Sequence, residues 1–204
     1  MDIRTLLRST RVTSPRMAHY VTLLTLVPVL ASCLSGYRGF PDVQPAPPDA
    51  KRSGTLSYQI QDTPFMDTGG RESLEDAFQS AAPFAKTKKR SEAPERGAYC
   101  LVQVEWRAPS LPAVVFGYIS LSFLTLLPAW STQEGYIIRY QVFVNGKEQE
   151  VFEYPVKRTV ALWAGLLPLV WVNWLTPSQG EAFEATARQF FHDAAPIFSK
   201  VASR

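Results

Sequence analysis

Cysteine and histidine are scarce in these 204 residues: Cys33 and Cys100, His19 and His192 are all there are. Two cysteines cannot build a disulfide framework, and no Cys/His cluster has the spacing of a zinc site. Cys100, in an alternating apolar stretch, reads as a small buried residue of a strand, with an intermolecular bridge as the alternative. No glycine-rich loop could cradle phosphate and no acidic loop could hold calcium, so no cofactor or metal is expected. His192 is followed by Asp193 on a helical pattern, where neighbours do not face each other as a base and its orienting carboxylate must. The pair reads as two polar side chains at the surface, no catalytic residue is expected, and the chain does not look like an enzyme. Glu148, Glu150 and Glu153 look like edge protection of an exposed strand, not a paired-carboxylate site. Charge, finally, is missing altogether from residues 111–130 and from residues 160–175.

What is present begins at the amino terminus. Arg4, Arg8, Arg11 and Arg16 precede an apolar run over residues 21–30, which is followed by Ala31-Ser32-Cys33. A basic start, an apolar core of roughly ten residues and small residues at a cut point form an export signal, whereas a spanning helix needs about 20 apolar residues. Leu30-Ala31-Ser32-Cys33 resembles the lipobox of bacterial lipoproteins. That resemblance implies cleavage before Cys33, a thioether-linked diacylglycerol on it and acylation of the new amino terminus. Residues 1–32 are then the signal peptide, Cys33 the lipidation site, and membrane lipid the first partner. A secreted protein cut elsewhere and an uncleaved anchor helix starting near Tyr20 are the alternatives.

Of 21 basic and 18 acidic residues, the first 32 hold four arginines and one aspartate, which leaves 17 of each. The basicity thus belongs to the leader, and nothing in the remainder seeks nucleic acid; Lys86, Lys88, Lys89 and Arg90 read as a solvated loop. Residues 33–53, with Pro41, Pro45, Pro47 and Pro48 among small and polar residues, read as the lipidated cysteine and a Pro-rich tether.

The domain is expected over residues 54–204. Leu56, Tyr58 and Ile60 alternate with polar residues as in a half-buried strand. Leu74, Ala77, Phe78 and Ala81 fall at helical spacing within residues 71–84, residues 86–97 read as a loop, and Cys100, Val102, Val104 and Trp106 alternate as a second strand. Asn145-Gly146 marks a hairpin between residues 136–144 and 148–154. A two-residue loop would put Tyr136, Ile138, Tyr140 and Val142 on the face opposite Phe152 and Tyr154. A three-residue loop, Val144-Asn145-Gly146, unites them, pairing Ile138 with Phe152 and Tyr136 with Tyr154. Phe183, Ala187, Phe190, Phe191 and Ala194 form the apolar face of one helix over residues 179–200.

The two charge-free segments are long enough to engage a bilayer: as helices of 20 and 16 residues they would run about 30 and 24 Å. Pro128 and Pro168 interrupt them, and Trp130, Trp163, Trp171 and Trp174 sit near their ends, where indoles prefer the headgroup layer. Full spanning would strand the hairpin across the membrane from the other strands, and a lone hairpin is marginally stable. The favoured expectation is therefore an α+β fold with a small four-stranded sheet (β-α-β, then the hairpin), two helices, and two membrane-associated or membrane-spanning helical segments. Leu121 to Leu126, Pro128, Trp130 and the second Trp- and Pro-containing run, flanking a hairpin, resemble small proteobacterial envelope lipoproteins. The resemblance implies a location, the cell envelope with the domain mainly facing the periplasm, and no mechanism. Leu34 after the cysteine suits outer-membrane sorting, while spanning helices would hold the chain in the inner membrane. The function expected is a non-catalytic binding or scaffolding module at the membrane with an envelope protein partner; the alternative is an accessory subunit of an envelope transport or pore assembly.

Overall fold

The computed structural model describes residues 33–42, 52–61 and 69–202, so the expected signal peptide, residues 1–32, lies outside the described residues. The alternating patterns fold as read. β2 (Arg52–Ile60), β4 (Ala98–Arg107), β6 (Gly135–Val144) and β7 (Lys147–Leu162) turn Leu56, Tyr58, Val102, Tyr136, Ile138, Tyr140, Val142 and Val156 to one buried face. They form only the middle of a larger sheet. Seven strands run in the order β1-β7-β6-β4-β2-β3 with β5 also on β7, so the expected four-stranded sheet is replaced by a curled, mixed one of seven.

The three strands that the sequence pattern hides are short or lie at the edges. β1 (Cys33–Arg38) pairs antiparallel with β7, within the stretch expected as a tether; residues 43–51 of that stretch lie outside the described residues. β3 (Phe84–Lys89) forms where a helix end and a loop are expected, and pairs parallel with β2. Its lysines disguise it: at the last strand of the sheet they face water and blunt further pairing. β5 (Ala129–Ser131) uses the last two residues of the first charge-free segment plus one, on the same edge of β7 as β6.

The hairpin corrects the register. Asn145 (φ 50°) and Gly146 (φ 72°) are both left-handed, the requirement of a two-residue type I′ turn, and Val144 pairs with Lys147. The extra residue needed to unite the apolar sets sits in β7: Phe143 opposes Glu148 and Val142 opposes Glu150, leaving Gln149 unopposed. Ile138 therefore faces Tyr154, and Tyr136 faces Val156. The two apolar sets share a face, and the bulge that unites them is in the strand and not in the loop.

Helices α1 (Gly70–Ser80), α3 (Gln179–Asp193) and α4 (Ala195–Ala202) cover the buried face. Ser178 and Glu181 form a reciprocal capping box on α3, the backbone N–H of Glu181 donating to Ser178 Oγ (3.2 Å) and that of Ser178 to Glu181 Oε2 (2.7 Å). The single expected terminal helix is two, because Pro196 has no N–H to continue the ladder and suits a first turn. The Tyr140 ring stacks on Phe190 with centroids 4.4 Å apart, and its hydroxyl meets Thr186 Oγ1 at 2.9 Å, so a buried polar atom is satisfied inside an aromatic core.

Neither charge-free segment becomes a spanning helix. α2 (Leu111–Ser122) is 12 residues long, about 18 Å, and ends where Leu124 and Thr125 adopt φ of 50° and 58° and reverse the chain. Residues 160–162 complete β7, and Ala164–Trp174 is a 3-10 helix of 11 residues containing Pro168, about 22 Å. Both fall short of a hydrocarbon core of about 30 Å, and no helix among the described residues is long and apolar enough to cross a membrane. The membrane-spanning expectation is overturned, and the hairpin takes its place in the middle of the sheet.

Candidate functional site

β7 is longer than β6, and its last residues carry the chemistry at one end of the sheet. Leu162 pairs with Cys33 of β1 on one edge and with Ala129 of β5 on the other, so the three stand in one row with Cys33 and Ala129 about 10 Å apart. Both charge-free segments close on this end: α2 packs on β5, and the 3-10 helix packs on β1.

Specific hydrogen bonds fasten the two segments to each other and to β1. The Trp163 indole N–H donates to Leu126 O (3.1 Å) and the Ala164 backbone N–H to Thr125 O (2.7 Å), tying the reversal after α2 to the start of the 3-10 helix. Ser120 Oγ donates to Leu127 O at 2.5 Å and closes the turn internally. Asn173 bridges the other way: its Nδ2 donates to Cys33 O (2.8 Å) and its Oδ1 accepts from the Ser35 backbone N–H (2.9 Å). Thr176 Oγ1 lies 2.9 Å from Ser35 O and 3.0 Å from Asn173 O. Asn173→Ala leaves two half-buried backbone groups of β1 unpaired and is expected to lower unfolding stability by about 1–3 kcal/mol, read from urea midpoints.

The surface of this end is unusually greasy. Among the described residues, the large apolar side chains that stand exposed lie, apart from Trp106 and Val151, in residues 111–130 and 163–175. All four indoles singled out in the sequence point outward: Trp130 is 68 % exposed, Trp163 41 %, Trp171 49 % and Trp174 88 %. Beside Trp130 an apolar cavity of about 400 Å³ opens between α2 and β5, lined by Pro112, Phe116, Pro128, Ala129 and Gln133 among others. A soluble monomer rarely leaves a contiguous apolar patch of more than a few hundred Å² in water, and in general such patches mark protein, membrane or ligand contacts.

Cys33 lies half-buried at this end. Burial pushes its thiol pKa up, the guanidinium of Arg158 lowers it and the Glu134 carboxylate raises it, for a net rise. Arg158 and Glu134 approach to 3.7 Å, and burial also lifts the Glu134 carboxyl above the usual carboxylate range. A thiol held neutral in this way is a weak nucleophile. Cys100 is fully enclosed and raised further by burial alone, which removes it from any intermolecular bridge.

The polar pair on the terminal helix turns out to be a small network. The Tyr154 hydroxyl donates to Asp193 Oδ2 (2.7 Å), Gln189 Nε2 donates to Asp193 Oδ1 (2.7 Å), and His192 Nδ1 lies 3.2 Å from Asp193 Oδ1, so helix neighbours do meet here. Burial raises the Asp193 carboxyl, and the three hydrogen bonds outweigh it and leave the pKa low. His192 projects into solvent, and the network pins α3 to β7. Among the described residues no group of three His, Cys, Asp or Glu side chains could hold a metal ion.

No protein-family model matches the chain. No curated protein matches it in sequence. Among solved structures it aligns with a single-substitution variant of the PelC dodecamer from Paraburkholderia phytofirmans, at 9 % identity and TM-score 0.30, over 77 % of this chain and 92 % of that one. A second PelC dodecamer structure from the same organism aligns at 8 % identity and TM-score 0.30, over 77 % and 93 %. The likeness is too distant to carry a conclusion about this chain.

Proposed function

We propose that the chain is a lipid-anchored protein of the bacterial envelope, whose non-catalytic domain docks on one leaflet and binds or scaffolds a protein partner at the membrane. The observation that carries this reading is the meeting of Cys33, the lipobox residue, with the exposed apolar surface at one end of the sheet. Acyl chains on Cys33 and the side chains of Trp130, Trp171 and Trp174 would then enter the same leaflet. Two acyl chains hold a protein far longer than one, and the indoles add a second, orienting contact. No tether separates lipid from domain in this arrangement, because Cys33 is itself the first residue of β1. The domain lies against the bilayer on the periplasmic side, with the helix-covered core above it.

The reading is tested by expressing the full chain in a Gram-negative host supplied with an alkyne-tagged palmitate. The expected result is a labelled, membrane-bound product shortened by 32 residues, and an unlabelled, uncleaved Cys33→Ser variant. Label retained by Cys33→Ser, or an unlabelled wild-type chain recovered in the soluble periplasmic extract, would overturn the proposal.

A further inference from the structure

We infer that three cations on the outer face of the sheet, Arg38, Lys157 and Arg107, contact lipid phosphates and direct the domain to anionic bilayers; the inference rests on the docking function proposed above. Arg38 of β1 opposes Lys157 of β7, Lys157 also opposes Gly135 of β6, and Gly135 opposes Arg107 of β4. All three pairings are antiparallel, so directly opposed residues share a face. That face is the one turned away from the helices, since the alternate residues Tyr136 and Val156 are buried in the core. The row spans three inter-strand spacings, about 14 Å. Gly135 places no side chain between Lys157 and Arg107, and all three cations are exposed.

Among the described residues these charges are uncompensated. None of the three forms an ion pair with a described residue. Arg139, farther along the same face, shows the contrast: it pairs with Glu105 at 2.8 Å and Glu153 at 2.6 Å. Like charges directly opposed across strands destabilise a sheet, so the bare Arg38–Lys157 pair is a local penalty that an anion would offset.

Position names the anion. Between Arg107 and Glu134, and again between Arg158 and Glu181, the chain carries no charge. On this face the three cations are thus the last before the apolar end. Along β7, Lys157 lies four residues, about 13 Å, from Ala161, the partner of Trp130. With Trp130 at the headgroup layer, long side chains reaching towards the surface bring the cations to the level of the lipid phosphates. The occupant that matches a basic band bordering an apolar end is a negatively charged leaflet.

The test uses residues 33–204, which hold every described element and the described core, with Cys33→Ser so that no acyl chain contributes. Binding is measured by co-sedimentation with vesicles of phosphatidylcholine alone and of phosphatidylcholine with one-third phosphatidylglycerol. The expected preference for the anionic vesicles is on the order of 100-fold at low salt and shrinks as salt screens it. The combined Arg38→Gln, Lys157→Gln and Arg107→Gln change should abolish that preference and leave binding to the neutral vesicles intact. Lys86→Gln, Lys88→Gln and Lys147→Gln together, the same change of charge elsewhere, should keep it. Equal binding to both vesicles by the unaltered row, or equal losses from the two triple variants, would overturn this inference alone. Failure to bind either vesicle would take down the docking reading and this inference with it.

Discussion

Gly135→Ala is expected to remove about 4 kcal/mol or more of folding stability, lowering the melting temperature by roughly 10 °C in a domain of this size. Gly135 has φ of +146°, a backbone conformation that side chains rarely adopt, and a Cβ placed there would lie 2.0 Å from Val156 O. The atom in the way is backbone, at the junction where β7 leaves β6 and goes on to β5, so relief requires the two central strands to part. Gly117→Ala supplies the opposite sign. Its Cβ meets nothing within 4 Å and the residue is in the interior of α2, so alanine should stabilise by about 0.5–1 kcal/mol through backbone entropy. Thermal unfolding followed by circular dichroism reads both, and an unchanged melting temperature for Gly135→Ala would contradict the strand junction described above.

Aspartate at Leu124, Leu126, Trp171 and Trp174 is expected to weaken partition of the Cys33→Ser chain onto vesicles on the order of 1,000-fold. Each large side chain contributes about 1.5–3 kcal/mol when fully removed from water, and partial insertion of four of them suffices for that factor. All four are exposed, between 49 % and 88 %, so the fold itself should change by no more than about 0.5 kcal/mol per site. The prediction separates two uses of one surface. Vesicle binding that survives the four changes would end the docking reading. Survival coupled with loss of a discrete complex extracted in mild detergent would assign the apolar end to a partner's transmembrane helices, as in an accessory subunit of an envelope assembly.

Alternation of side chains was legible wherever one face of a strand is buried and the other wet. β2, β4 and β6 announce themselves in this way, and α1 and α3 show the helical equivalent. β3 carries three lysines in six residues and a single buried apolar residue, Phe84, so its pattern is that of a loop. β1 keeps five half-buried residues and one exposed, with no alternation to detect. Backbone hydrogen bonds hold both strands, and the backbone donors and acceptors of a strand are the same whatever its side chains.

The candidate site divides along the same line. Its ingredients, Cys33, the charge-free segments and the four indoles, are visible one by one in the sequence. Their convergence is not, because Asn173 and Cys33 are 140 residues apart and meet only through the pairing of β1 with β7. The basic row on the outer face is equally hidden: Arg38, Arg107 and Lys157 come from three strands and share a line only in the folded register. Local composition by itself determined which residues are apolar, which are small and where charge is missing. Tertiary structure alone decided that two segments long enough to invite a spanning reading would break at Leu124–Thr125 and at Trp163, where β7 gives way to the 3-10 helix, and rest beside Cys33. The physical reason is that a hydrophobic run specifies an aversion to water and not a shape; the shape came from strand pairing and turn geometry.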